Sequence, residues 1–218
     1  MRAAGKGAAF SALFAAVYGT TNWITSLHAW RVPVHMQFEL AIPLVPAAAW
    51  VYMSVNLLMA VLPFVLRTAE ELDAFLAELR RMLAVAAVFF LLVPAETAYA
   101  PAHLTGASAT LLTFADRINL DHNLLPSLHV ALAAASARVM AARLGVAGTF
   151  FVWLWALAIA ASTLLTHQHH VLDVAGGFAL ARCAPVLLRW TRNAPAGSAP
   201  VSATPALDWQ SVRSETKR

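Results

Sequence analysis

Residues 123–173 constrain the fold more than any other stretch. They open on Asn123-Leu124-Leu125-Pro126-Ser127-Leu128-His129 and close on Thr166-His167-Gln168-His169-His170-Val171-Leu172-Asp173. An apolar out-and-back run separates the two polar clusters. A bilayer core of about 30 Å takes about 20 residues of helix, so a hairpin of that size returns the chain to the side it left. Both clusters then meet at one surface.

The rest of the chain has the same character. It is 60% hydrophobic and 12% charged, where soluble domains carry roughly 25% charged residues. The apolar excess falls in blocks that predict six membrane spans, near 8–27, 42–66, 82–99, 126–144, 146–165 and 170–190. Pro43, Pro46 and Pro63 in the second are tolerated where neighbouring helices satisfy the freed carbonyls. Between the second and third spans, 67–81 carries Glu70, Glu71, Asp73, Glu78 and Arg80, with Leu72, Phe75, Leu76 and Leu79 at helical spacing. That pattern predicts an amphipathic helix lying at the interface. The segment 28–41, with Trp30, Phe38 and Leu40 among polar residues, suits an interfacial position too. The expected architecture is an all-α integral membrane protein: a six-transmembrane-helix bundle over 1–190, followed by a disordered cytoplasmic tail over 191–218, rich in Ala, Pro and Ser.

Charge fixes the expected orientation. The net charge of +4 is not gathered on one soluble element, which excludes a nucleic-acid surface. With six spans, thirteen Lys and Arg residues fall on the side of the two termini and only Arg31 and Arg117 on the other. That bias puts both termini in the cytoplasm, across a bacterial-type inner (plasma) membrane. All eight histidines then lie on the non-cytoplasmic face. Cys183, the single cysteine, permits neither an intramolecular disulfide nor a thiolate metal site.

The chemistry concentrates in the two clusters. His169 and Asp173 are four residues apart and share one helical face. The carboxylate can hold one imidazole N–H and leave the other nitrogen as nucleophile or base. A polar patch meeting lipid headgroups accounts for the same pair, but a carboxylate in the first turn of an apolar span is costly and usually functional. Pro126 suits the first turn of a helix. The backbone amides around Ser127 make a site for an anion, and His129, one turn in, can protonate a leaving alkoxide. A metal reading of His167, His169, His170 and Asp173 is disfavoured because adjacent helical residues point about 100° apart.

Together, Leu125-Pro126-Ser127-Leu128-His129-Val130-Ala131, Ser162-Thr163 and Gln168-His169-His170-Val171-Leu172-Asp173 resemble the type-2 phosphatidic-acid phosphatase superfamily. The closest resemblance is to its inositol-phosphorylceramide synthase-like branch, and Phe38-Glu39-Leu40-Ala41-Ile42-Pro43 is similar to that branch as well. The resemblance implies a six-helix bundle with its site at the outer face and no metal or cofactor. It implies His169 as nucleophile, Asp173 as its orienting partner, His129 as general acid and Ser127 in phosphate binding. The substrate would be a membrane phospholipid or lipid phosphate.

Two departures stand out. No Arg-Pro occurs in the chain; if Pro101 is that motif's proline, Ala100 and Val93 replace its arginine and lysine. Thr163 stands where an arginine follows the serine. A phosphoryl transition state needs positive partners for its equatorial oxygens, and Arg117, His167 and His170 are the candidates. The expected activity is a lipid phosphatase working through a phosphohistidine. Transfer to an alcohol, or an inactive lipid-binding relative, are the alternatives.

Overall fold

The computed structural model describes residues 3–100 and 105–193. These residues form seven α-helices and a short 3-10 turn, with no strand among them. In chain order the elements are α1 (Ala3–Ser26), the turn Gln37–Ala41, α2 (Ala48–Val65), α3 (Ala69–Leu92), α4 (Ala107–Asn119), α5 (Leu128–Ala141), α6 (Val146–Leu165) and α7 (Val171–Asn193).

The centre of the bundle is α5, which packs against α2, α3, α6 and α7. Its sequence explains the position. Ala131, Ala133, Ala134, Ala135, Ser136 and Ala137 are all buried, and small side chains let helix backbones approach closely. Larger side chains from the surrounding helices fill the remaining space, among them Leu58 and Leu62 of α2, Leu79, Met82 and Phe90 of α3 and Ile159 of α6. By contrast, α1 lies chiefly along α3. The bend in α2 falls at Ser54, between Ala48–Met53 and Val55–Val65. There the Ser54 hydroxyl accepts the Trp155 indole N–H at 2.8 Å.

Two helices, Ala48–Val65 and Val146–Leu165, are long and apolar enough to cross a bilayer. Their outer faces expose Trp50, Leu57 and Phe64 on α2, and Phe150, Phe151, Leu154 and Leu157 on α6.

The structure corrects several expected boundaries. The segment 67–81 is not a separate interfacial helix; it is the first half of α3, which continues unbroken to Leu92. The apolar stripe at Leu72, Phe75, Leu76 and Leu79 keeps its register through Met82, Leu83, Ala86 and Phe90, and all of these are buried. Thr68 starts that helix by accepting the Glu71 amide at 3.2 Å, as an N-cap residue does. The expected third span stops seven residues early because Pro94 cannot continue the helix. In the expected loop 100–125, residues 107–119 form α4. The second helix begins at Ala48 rather than 42. Helix α7 runs through Asn193, three residues into the segment read as tail. The remainder of that tail, with Pro101 and His103, lies outside the described residues.

Antiparallel packing sorts the charges by end. Lys6 pairs with Asp73 at 2.6 Å, Arg138 with Glu78 at 2.5 Å, and Arg143 with Glu71, all at one end. The other end is where α1 finishes against α3, with the Thr25 hydroxyl donating to the Phe90 carbonyl at 3.1 Å. His35, His129, His167, His169 and His170 meet at that end.

Candidate active site

The two polar clusters converge because α5 and α7 begin side by side. The Ser127 amide donates to the Asp173 carbonyl at 2.9 Å, and the buried Ser127 hydroxyl caps α5 by accepting the Val130 amide at 3.4 Å. Glycine makes this approach possible. A Cβ on Gly177 would stand 2.6 Å from the Ser127 carbonyl oxygen and 2.8 Å from Val130 Cβ. One on Gly176 would press on Leu125 and Pro126. Pro126 is not in the first turn of the helix as expected; it precedes the N-cap Ser127 of α5 and, buried, acts as a wall of the joint.

The imidazoles of His129 and His169 consequently face each other, with ring centres 6.2 Å apart. His169 is 5% exposed and Asp173 is fully buried. Asp173 Oδ2 lies 3.5 Å from His169 Nδ1 and accepts the His170 amide at 2.7 Å. The carboxylate is thus anchored to the backbone while it faces the ring, and its Oδ1 has no partner among the described residues. On the other side, Tyr52 stacks on His129 at 4.2 Å. Its hydroxyl lies 3.2 Å from His129 Nδ1, which leaves Nε2 for a ligand.

His170 points away from this pair into a second buried cluster. Its Nε2 accepts the Ala98 amide at 3.1 Å, so Nδ1 carries the proton, and it lies 3.7 Å from Glu39 Oε1. Both side chains are fully buried. Glu39 also accepts the Val171 amide at 2.6 Å and the Met36 amide. His167 occupies the left-handed region, φ 58°. Its Nε2 donates to the Ile42 carbonyl at 2.9 Å, and its ring stacks on Tyr99 at 3.8 Å. His167 and His170 therefore brace the loops around the site.

Arg117 is not brought to the histidines. It stands exposed near the end of α4, and no contact joins it to them among the described residues. Its neighbour Asp116 accepts from the Gln168 side chain instead. Partial burial holds the Asp116 carboxyl above the ordinary range, the Gln168 hydrogen bond pulls it back, and the nearby Asp121 raises it again.

Two cavities flank the cluster. One of about 310 Å³ is mixed, with Asp116, Asp121, His167 and Gln168 on its polar side and Leu44, Leu112, Leu120 and Leu124 on its apolar side. The second, of about 270 Å³, is lined by His129 and His169, by mostly apolar residues of α1, α2, α4 and α5, and by Ser11 and Asn56. Neither lining contains lysine or arginine. The groups left here to face an anion are neutral polar ones: the imidazoles and the backbone amides where α5 begins. No group of three or more His, Cys, Asp or Glu side chains converges to hold a metal among the described residues.

Sequence reading missed Tyr52, Gly176 and Gly177. Only the glycine pair left a trace, as adjacent glycines in an otherwise apolar helix. Glu39 entered only as part of the stretch Phe38–Pro43, without its partners. No family model, curated protein or solved structure matches the chain.

Proposed function

We propose that this chain is an integral membrane enzyme that hydrolyses a lipid phosphomonoester through a phosphohistidine. The observation that carries the reading is the His129–His169 pair, with ring centres 6.2 Å apart, and Asp173 Oδ2 3.5 Å from Nδ1 of His169. Facing rings at that separation bracket a single small group, and the attacking nitrogen must come within about 3–3.5 Å of phosphorus. Asp173 holds the proton on Nδ1 of His169. Nε2 of His169 attacks phosphorus, forming an N–P bond as the P–O ester bond breaks. His129 gives its proton to the departing alkoxide, then takes one from the water that cleaves the N–P bond and releases phosphate. The resemblance of the two motifs to the phosphatidic-acid phosphatase superfamily supports the same assignment.

The membrane reading draws on α2 and α6, both of span length, and on their exposed aromatic and aliphatic faces. Contiguous apolar surface of that kind is unusual on a soluble monomer. Transfer of the phosphoryl headgroup to an alcohol is the second reading, and the polar side of the cavity beside Gln168 favours it. Its carboxylates Asp116 and Asp121 suit hydroxyl groups rather than phosphate.

Rapid quenching of the detergent-solubilised protein with ³²P-labelled lipid phosphate tests the mechanism. Wild type is expected to carry acid-labile label on protein and release free phosphate. His169→Ala is expected to do neither, and His129→Ala to retain label while turning over slowly. Full turnover in His169→Ala would rule out the phosphohistidine, and labelled product joined to an added alcohol would establish transfer.

A further inference from the structure

The 270 Å³ cavity has one polar end and one apolar end. His129 and His169 line the first. Away from them the walls include Phe10 and Phe14 of α1, Met53 and Met59 of α2 and Leu132 of α5. From Tyr18, also in the lining, back to Phe10 is eight residues of helix, or about 12 Å along α1. The void exists because α1 leans on α3, which leaves space between α1 and the α2–α5 face. His169, 5% exposed, borders this space.

We propose that this cavity receives a single hydrocarbon chain of the substrate, threaded between α1, α2 and α5, with its phosphate at His129 and His169. This rests on the phosphatase reading and adds the substrate class: a lipid phosphate that puts one chain inside the bundle instead of leaving it wholly in the bilayer. Three features select that occupant. The lining offers no lysine or arginine to bind a second charged group deep in the cavity. Away from the histidines the walls are mostly apolar, with Ser11 and Asn56 the polar exceptions beside Tyr18, over a length that suits a chain rather than a compact ring. The volume, about 270 Å³, lies just below the roughly 300–1,000 Å³ of ligand pockets, which admits one chain and not two. Each methylene buried there leaves water, so affinity should climb with chain length until the cavity is full.

The test uses the full chain in detergent with a series of n-alkyl phosphates from butyl to hexadecyl. Phosphate release per unit substrate, kcat/KM, is expected to rise at least tenfold from butyl to dodecyl and then level off. Leu132→Trp, which fills the cavity, should flatten that rise, and Phe10→Ala, which extends its far end, should move the plateau to longer chains. A melting curve for each variant separates this from unfolding. A dodecyl phosphate bearing a terminal diazirine gives a readout that needs no turnover: cross-links are expected at Phe10, Phe14 or Met59. Cross-links confined to the outer face of α6 at Phe150 and Leu154, or a chain-length profile unaltered in Leu132→Trp, would overturn the chain site and leave the phosphatase reading intact. Cross-links at Phe10 without phosphate release from any member of the series would sustain the chain site and remove the phosphatase reading.

Discussion

Glu39 and Val171 lie 132 positions apart, yet the Glu39 carboxylate accepts the Val171 amide at 2.6 Å. One buried side chain therefore ties the 3-10 turn Gln37–Ala41 to the start of α7, where Asp173 follows within the first turn. The same carboxylate accepts the Met36 amide and faces His170. A buried donor left without its acceptor costs about 1–3 kcal/mol. Glu39→Ala, which strands two amides, is expected to cost about 2–5 kcal/mol on that basis, and Glu39→Gln, which keeps one carbonyl oxygen, about half as much. Thermal unfolding in detergent measures both. Equal melting temperatures for wild type and Glu39→Ala would refute the role.

Gly177 sets how closely α5 and α7 approach. In Gly177→Ala the new methyl meets a backbone carbonyl at 2.6 Å, which no rotamer change relieves. Overpacking of this kind costs about 1–3 kcal/mol, and the shift should separate His129 from His169. Turnover is expected to fall more than tenfold. The matched control is Gly19→Ala in α1, where nothing lies within 4 Å. That change should stabilise the protein by about 0.5–1 kcal/mol through helix propensity. If both variants behave alike, close packing at Gly177 does not position the site.

Tyr52→Phe keeps the ring stacked on His129 and removes only the hydroxyl that lies 3.2 Å from Nδ1. A hydrogen bond of this kind contributes about 0.5–1.5 kcal/mol, so kcat on a lipid phosphate should drop about two- to tenfold. KM should change little, because the hydroxyl orients His129 without touching substrate. A rise in KM at constant kcat would show that Tyr52 binds the ligand instead.

These three residues mark where sequence reading stops. The apolar blocks were legible because membrane-length helices leave long uninterrupted runs. The meeting of the clusters at Ser127 and Asp173 was legible because their separation matches one helical hairpin. The charges in 69–81 misled for a physical reason. They sit on one side of a helix whose other side is continuous with 82–92, and Glu78 is neutralised inside the bundle by Arg138. A break in hydropathy therefore looked like a break in the helix. Helix α4 was missed because its thirteen residues mix polar and apolar types without a span-length run. Glu39, Tyr52 and Gly177 acquire their roles only from partners distant in sequence, which no local pattern encodes. Arg117 was chosen for its charge and its side of the membrane, and neither property determines where a side chain on α4 points.

Asp116 gives a pH dependence with a definite sign. Burial raises its carboxyl above the unfolded value, against the opposing pull of Gln168. The folded state then binds more protons than the unfolded chain, so the stabilising contribution is complete below the unfolded value of about 3.9. It is lost as pH rises through the raised folded value. Asp116→Asn removes the titration. Melting temperature measured upward from pH 4 should fall more steeply in wild type than in Asp116→Asn. A steeper fall in the variant would reverse the assigned direction.

Three of the four Lys or Arg ion pairs among the described residues gather away from the histidines, with only Arg31–Glu96 at the histidine end, and that bias predicts which ends of the bundle face opposite compartments. Lys6–Asp73, Arg143–Glu71 and Arg138–Glu78 occupy one end, and basic residues favour the cytoplasmic side. On that prediction the histidine end faces outward, and the proposed lipid phosphate would come from the outer leaflet. Cys183 is the sole cysteine, so a Cys183→Ala background permits single-site labelling. Ser26 is exposed near the histidine end and Gly145 is exposed beside Arg143 at the other. On intact cells a membrane-impermeant maleimide is expected to label Ser26→Cys at once, and Gly145→Cys only after permeabilisation. Labelling of both without permeabilisation would mean that no bilayer separates the two ends. The reverse pattern would turn the site toward the cytoplasm and change the pool of lipid it can reach.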